Sequence, residues 1–461
     1  MTRHKGGGRP RGTTPWIVLA GGSALAFWLT ASASLPAQDS WRSPQLPGGQ
    51  TFVTDRSAEF LKPVGPLAGG VTIASTPPTV DFLYYPEQTY QGHPWSVWGD
   101  ASVAAGKYYS GMGDHGAPAG NAFVFEYDPA TRAFRALVDV RKFLNLPAGH
   151  YSPSKIHTRV EMGSDGWLYF ATHRGSTRVT TDRYHFSGDW ILRTKPDTAE
   201  TEIVVRGPVP KHSIPTGMLD PDRLIFYGGT IVGDPADEQA DNAIMFFAYD
   251  ARSHKLLHAA PNGPYRYLVL AKSTGRVYYV NEDGGPLMRY DPKSGAPPVQ
   301  IPGKIGIRAA TRETQDGFVY TVSNRPEATL WRFNTRTEQA EAIGNAPVAS
   351  QDYITSLDVD PAGRYLYYVP GAHGGSEKDG SPVVQFDVKT RTKKIIAFLH
   401  PFYRDKYGYT TLGTFASALS AEGDKLYITW NGNRSGPVRG RLPWDTVALT
   451  VIHIPLSERQ P

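Results

Sequence analysis

The ten residues that decide the fold are SDGWLYFATH, Ser164 to His173. A turn containing Asp165 and Gly166 precedes a short aromatic and aliphatic run, a combination that favours a β-strand. The same half-unit recurs as AAGKYYSG, PDRLIFYGG, STGRVYYVN, QDGFVYTVSN, PAGRYLYYVP and EGDKLYITWN. The turn anchors stand 42 to 60 residues apart and are Gly106, Gly166, Asp222, Gly275, Gly317, Gly363 and Gly423. Repetition at this spacing indicates a repeat architecture.

A second half-unit lies between successive anchors. Its strand ends in an aromatic residue followed by Asp or Asn, as in VFEYDPATRAF and WRFNTRTEQA. Four strands per unit without helical periodicity are typical of a β-propeller. The sequence therefore predicts an all-β, seven-bladed β-propeller of four-stranded antiparallel blades over residues 91–461. The last unit lacks an outermost strand, so we expect a strand near residues 52–75, within an N-terminal segment 34–90, to close the ring. A non-propeller array or a pair of sandwiches is the alternative.

Residues 1–33 resemble a secretory signal peptide. The basic residues at its start are Arg3, Lys5, Arg9 and Arg11. An apolar stretch, Ile17–Leu29, follows, and Ala31–Ala33 has the small-x-small form of a cleavage site. We expect an exported protein, periplasmic or extracellular, with no membrane span after cleavage. An uncleaved anchor is the alternative, but the apolar run is short for a span of roughly 20 residues.

Composition narrows the class of partner. The chain of 461 residues is 40% hydrophobic and 12% aromatic, enough for a large core, and it has no cysteine and thus no disulfide framework. Its formal net charge of +5 falls to +1 without residues 1–33, which hold four basic and no acidic residues. The chain without these residues therefore lacks the strong positive charge that is typical of nucleic-acid-binding proteins. We expect a monomer.

Two histidines flank the turn of the opening motif. Antiparallel partners have a nearly constant sum of residue numbers, which is about 330 for a turn centred on Asp165. His157 and His173 are therefore predicted to be direct cross-strand neighbours, with Cβ atoms roughly 5 Å apart. In a propeller blade, the start of the innermost strand and the end of the second strand share one mouth, so the pair is expected there.

The same reasoning brings polar residues of the other blades to this mouth. The residues expected to contact a ligand are His115, Arg174, Lys211, His212, Arg266, Arg308, His373 and Arg434. Tyr227, Tyr265, Tyr353 and Arg325 are placed beside them. Because Arg binds carboxylate or sulfate groups bidentately and aromatic rings offer flat surfaces for sugars, we expect an acidic polysaccharide or oligosaccharide as partner. A solvated polar rim is the alternative.

β-Elimination from a uronate polymer is one reaction that such residues perform. A cation must neutralise the carboxylate, a base must remove the C5 proton, and an acid must protonate the leaving oxygen. Arg supplies preorganised positive charge, while His and Tyr serve as base and acid.

The arrangement resembles the seven-bladed propeller polysaccharide lyases, such as ulvan lyases and the oligogalacturonide lyase class. KIH on an inner strand and YFATH after a short hairpin look like the paired active-site histidines of those enzymes. The resemblance implies catalytic roles for His157 and His173, with a tyrosine that is either Tyr227 or Tyr265. The charge-neutralising arginine that it implies is either Arg174 or Arg266.

Other functions remain open. A divalent metal (Mn, Zn or Ca) is one alternative, with His115, His157, His173 and His212 as the candidate ligands for a transition metal. A lactonase-like Ca²⁺ site would use Asn281, Asp283 and Asn324. A non-catalytic propeller that binds an anionic saccharide or a protein partner is the third alternative, since a fold does not fix a function.

Overall fold

Seven sheets follow one another in chain order around a central channel. In the computed structural model, the described residues are 41–237, 242–434 and 443–460, so the predicted signal peptide lies outside them. Arg42–Pro461 forms one compact unit. The prediction of an all-β, seven-bladed propeller with antiparallel blades is confirmed.

Each blade runs from an inner strand at the channel to an outer strand. Blade 1 has Trp95–Ser96 with Ser102–Ala104, then Lys107–Asp114, Ala122–Asp128 and Ala133–Asp139. Blade 2 has Lys155–Ile156 with Glu161–Met162, then Leu168–His173, Trp190–Thr194 and Thr201–Arg206. Blade 3 has His212–Asp220, Ile225–Val232, Met245–Asp250 and Lys255–Pro261. Blade 4 has Val269–Ala271, Arg276–Val280, Leu287–Tyr290 and Val299–Ile301.

The remaining blades complete the ring. Blade 5 has Ala309–Ala310, Phe318–Val322, Thr329–Asn334 and Gln339–Asn345. Blade 6 has Asp358–Val359, Tyr365–Tyr368, Pro382–Asp387 and Thr392–Phe398. Blade 7 has Thr410–Leu419, Lys425–Asn433 and Thr446–His453. The α-helices of the described residues are Val140–Leu144, Phe402–Tyr407 and Leu456–Arg459. Short 3₁₀ turns occupy Pro47–Gly49, Ala58–Leu61, Thr177–Val179, Asp182–Tyr184 and Ser376–Asp379.

An N-terminal strand closes the ring, but not at the expected place. Thr79–Tyr84 pairs antiparallel with Thr446–His453 as the fourth strand of blade 7, and Val53–Arg56 adds a fifth. Val71–Ile73 instead pairs in parallel with the outer strand of blade 6. The expected interval of 52–75 was therefore wrong. The closing strand is the one whose Val80, Phe82 and Leu83 are fully buried, so its apolar side chains determined the choice.

The turn anchors lie between inner and second strands as predicted. Gly166 has φ +79°, in the left-handed region that favours glycine. Blade 3 differs because Leu224, rather than the predicted anchor Asp222, takes this conformation with φ +57°. Between blades the core is packed with aromatic rings, such as Phe246 of blade 3 stacked on Tyr279 of blade 4 at 4.9 Å. No helix in the described part of the chain is long and apolar enough to cross a membrane.

Candidate functional site

The inner strands of blades 1 and 2 are both interrupted where they line the channel. The breaks cover residues 97–101 and 157–160, between the two short pieces of each inner strand. Irregular strands re-aim side chains next to functional sites. Here the breaks contain Trp98, Asp100, His157 and Arg159, whose side chains turn toward the channel or across it.

The break in blade 2 also changes the strand register. Glu161 pairs with Tyr169, which keeps the expected sum of residue numbers, but His173 pairs with Lys155 rather than with His157. Thr158 accounts for the shift, because its hydroxyl accepts a hydrogen bond from the Ala171 amide at 2.8 Å in place of a strand partner. His157 thus lies diagonally across from His173. The two imidazole rings still meet, with centroids 5.2 Å apart at 72°.

Gly99 allows blades 1 and 2 to approach closely at this point. A Cβ atom on Gly99 would lie 2.4 Å from the carbonyl oxygen of Thr158, so no larger residue fits without movement. The close approach places the Trp98 ring 5.9 Å from His157 and 4.2 Å from His115, stacked on both. Trp98 also contacts His373 at 5.6 Å and Phe415 at 4.7 Å.

A cavity of about 400 Å³ opens at this mouth, and all seven blades line it. Its aromatic and imidazole lining consists of Trp98, His157, His173, Tyr265, Tyr267, Tyr353, His373 and Phe415. Its charged lining consists of Asp100, Arg266, Arg308 and Arg325. This volume and lining suit a small polar ligand with apolar faces.

Both histidines of the pair are uncharged in the neutral range. Burial, together with the charge of Lys155, lowers the pKa of His157 to about 3. Burial likewise lowers the pKa of His173 well below its usual value, and Lys155, His157, Arg174 and His115 add to the effect. His173 is 5% exposed, and its Nδ1 has no hydrogen-bond partner. In the uncharged form, each imidazole has one nitrogen that can accept a proton.

Three arginines line the cavity without a carboxylate in ion-pair contact among the described residues. Arg308 is 7% exposed and donates through Nε to the Tyr353 phenol at 2.9 Å. The Arg325 guanidinium lies 4.9 Å from the centre of the Tyr353 ring. Because Arg308 occupies one lone pair of that oxygen, the Tyr353 hydroxyl proton is free to point elsewhere. Arg266 lies 4.6 Å from the centre of the Tyr265 ring.

A buried ion pair forms the floor of the cavity. Asp100 accepts hydrogen bonds from Arg159 at 2.7 and 3.1 Å and from the Tyr267 hydroxyl at 2.8 Å. Its other oxygen accepts from Ser356 at 3.1 Å. With both oxygens engaged, Asp100 serves as structure rather than as a base. It also joins blades 1, 2, 4 and 6 across the channel.

Several predicted site residues do not line the cavity. Tyr227 is fully buried between blades 3 and 4, where its hydroxyl donates to the Gly275 carbonyl at the opposite end of the blades. Lys211 pairs with Asp182 and Asp237. Tyr227 is absent from the cavity because of its position on the strand: its side chain faces the neighbouring blade and therefore cannot face the channel. Of the two tyrosines that the resemblance implies, Tyr265 lines the cavity and Tyr227 does not.

Three further predicted residues are used within the fold. His212 is 1% exposed, and its ring nitrogen lies 2.8 Å from the Thr230 hydroxyl. Arg174 donates to the carbonyls of Val232 and Gly233 in blade 3. Arg434 donates to the Arg42 carbonyl and the Thr446 hydroxyl. By contrast, His157, His173, Tyr265, Arg266, Arg308 and His373 line the cavity, and His115 stacks on its Trp98 wall.

In the described part of the chain, no three His, Asp or Glu side chains are grouped so that they could hold a metal ion. His115, His157, His173 and His212, the candidate ligands, are thus not grouped in this way. Two residues of the alternative Ca²⁺ site, Asn324 and Asp283, are hydrogen-bonded to each other. Asn324 donates to Asp283 at 2.8 Å, which links the loops of blades 4 and 5.

Sequence reasoning missed Trp98 and Lys155. Trp98 stands upstream of the first recognised half-unit, in the stretch WSVWGD, where a tryptophan is expected to fill a core. Lys155 directly precedes the KIH motif's isoleucine and is 8% exposed. Its position could have been predicted, because Lys155 lies two residues before His157 and alternate residues of a strand share a face.

No family model matches the sequence, and no curated protein matches it. Among solved structures, a chain of the mitotic checkpoint complex is similar at 10% identity and a TM-score of 0.49, over 86% of this chain and 96% of that one. The luciferin-regenerating enzyme is similar at 11% identity and 0.40, over 82% and 95%. U3-55K is similar at 10% identity and 0.47, over 79% and 97%. Likeness at this level assigns no activity, substrate or partner.

Proposed function

We propose that the protein is an exported carbohydrate-active propeller that binds an acidic saccharide at the mouth and cleaves uronate-containing glycans by β-elimination. One observation carries the proposal: two uncharged imidazoles face a cavity lined by Arg266, Arg308 and Arg325, none of which is in ion-pair contact with a carboxylate of the described residues, while Asp100 in the floor is paired with Arg159. Such a wall attracts an anion, and the uncharged imidazoles supply a base beside it.

The residues fit the three requirements of the reaction. Arg308, with Arg266 or Arg325, neutralises the uronate carboxylate, which makes the C5 proton acidic. An imidazole of the His157/His173 pair accepts that proton as the C4–O bond breaks and the C4=C5 double bond forms. Tyr353 gives its phenolic proton to the leaving oxygen, and the Trp98 ring provides a flat surface for the sugar.

One observation favours a second function. A pKa of about 3 makes His157 a weak base in the empty cavity, and efficient general bases have a pKa near the working pH. A propeller that binds an anionic saccharide without cleaving it would keep the arginine wall and the Trp98 surface. That function needs no titrating base.

Absorbance of the unsaturated uronate product distinguishes the two functions. The protein lacking residues 1–33 is incubated with a panel of uronate polysaccharides, alongside His157→Ala, His173→Ala and Tyr353→Phe. His254→Ala is the matched control, because His254 lies exposed on a turn of blade 3. A chromophore that appears with wild type and the control but is lost in the site variants supports the lyase. Saccharide binding without any chromophore supports the binding protein, and neither binding nor cleavage of any uronate contradicts both.

A further inference from the structure

The hairpin of blade 2 holds a third basic group beside the two histidines. Lys155 is the direct strand partner of His173 and lies two residues before His157. Its Nζ lies 5.2 Å from the ring centre of Trp98, the wall of the cavity. We refer to Lys155, His157 and His173 as the basic triad.

The basic triad has no acidic partner within ion-pair contact among the described residues. Lys155 is 8% exposed and His173 is 5% exposed, and a buried charge is costly unless it is paired. Asp189 is the acidic group that acts on Lys155, and its Oδ1 accepts hydrogen bonds from Tyr151 and Thr172. The other surrounding groups, Arg174, His115 and Arg308, are basic. The environment therefore disfavours charge on the triad while the cavity is empty.

The protonation states follow from this arrangement. Burial, together with the charge of Arg174, lowers the pKa of Lys155 to about 7, although Asp189 opposes the shift. In turn, Lys155 is the strongest charge acting on both His157 and His173. An anion near the triad reverses the balance, because an opposite charge within a few ångströms favours the protonated form. The unpartnered Nδ1 of His173 is a second sign that the site lacks a hydrogen-bonding group.

We propose that the basic triad is an oxyanion subsite whose positive charge increases when the acidic group of a ligand enters the mouth. Lys155 takes up most of the proton, and the new charge then holds the carboxylate or sulfate. This inference rests on the proposed acidic ligand but not on its cleavage. It predicts that binding removes protons from solution and strengthens as the pH falls toward 7.

Proton uptake measures this directly. Sodium sulfate and trigalacturonate are the probes, titrated separately in weakly buffered solution at pH 8 with an indicator dye. A group with a pKa of about 7 is about 10% charged at pH 8, so full charging of Lys155 takes up about 0.9 proton per bound probe. Lys155→Met is expected to lose this uptake and to bind each probe at least roughly tenfold more weakly. Lys155→Arg, charged in both states, is expected to bind without the uptake.

Lys195→Met is the matched control, since Lys195 also belongs to blade 2 and lies over a tryptophan ring, 4.7 Å from the centre of Trp167, but on the exposed surface. Near-ultraviolet circular dichroism checks that each variant is folded, and Lys155→Arg carries the test if Lys155→Met is not. Binding with unchanged proton uptake in the Lys155 variants overturns the inference even where uronate is cleaved. Sulfate binding with uptake but no uronate binding supports the subsite and contradicts the proposed substrate. Absence of binding by both probes overturns both proposals.

Discussion

Trp98 forms one wall of the cavity and contacts side chains of several blades. It stacks on imidazoles of blades 1 and 2 and contacts His373 of blade 6 and Phe415 of blade 7, so one ring joins four blades at the mouth. Aromatic pairs of this kind contribute about 0.5–1.5 kcal/mol beyond their buried area.

Replacement of Trp98 tests its role as the sugar surface. Trp98→Ala is expected to weaken saccharide binding roughly tenfold or more, because both the ring and its packing against His157 are lost. Trp98→Phe keeps a ring and is expected to retain most of the affinity. Calorimetric titration measures both, with the thermal unfolding midpoint as the check on folding. Equal affinity in Trp98→Ala and wild type would place the ligand elsewhere.

His157 gives the protein a defined sensitivity to acid. Its pKa is about 3 in the folded protein against 6.5 in an unfolded chain, so the unfolded chain binds the proton first. The stability that the uncharged imidazole contributes is therefore full above pH 6.5 and is lost as the pH falls toward 3. We expect His157→Asn to lose less of its free energy of unfolding than wild type between pH 7 and pH 4, measured by urea denaturation. His254→Asn should follow the wild-type curve, and parallel curves for all three proteins would contradict the assignment.

At the scale of the strand, the close approach of two inner strands sets the site. The Thr158 carbonyl lies where a Cβ of residue 99 would be, so Gly99→Ala must push the inner strands of blades 1 and 2 apart. Overpacking of this kind costs about 1–3 kcal/mol, and we expect ligand binding to fall as Trp98 separates from His157. Chemical denaturation and titration measure the two effects. Gly69→Ala is the control, since a Cβ there meets nothing within 4 Å. A Gly99→Ala protein as stable as Gly69→Ala would show that the strands adjust freely.

The strand scale also marks how far the sequence could predict the structure. The turns, with Gly in every blade but the third, and the aromatic runs that follow them predicted the number of blades and the His157/His173 contact. The exact register was wrong by two residues because Thr158 replaces a backbone hydrogen bond with its side chain. No periodicity reveals such a substitution. Tyr227 was misplaced for a related reason, since the strand pattern does not show which face meets the neighbouring blade.

At the scale of the whole molecule, the buried Asp100–Arg159 ion pair divides the central channel into two parts. The mouth cavity has Asp100 in its floor, and a second cavity of about 290 Å³ at the other end includes Arg159 in its wall. The ion pair between these two residues therefore separates the two ends while it joins the blades. Thr79–Tyr84 closes the ring separately, at the outer side of blade 7, where it pairs with Thr446–His453. The fold is thus linked at its centre and at its rim.

The central ion pair makes a prediction for the stability of the ring. Asp100→Ala leaves Arg159 buried without its partner, and breaking a buried pair in this way costs about 3–5 kcal/mol. Asp100→Ala combined with Arg159→Met removes both charges and is expected to recover part of that loss, since no unpaired charge remains. Guanidinium denaturation of the wild type, both single variants and the double variant measures the coupling. Additive losses in the double variant would mean that each residue acts through its other contacts, such as Tyr267 and Ser356, rather than through the pair.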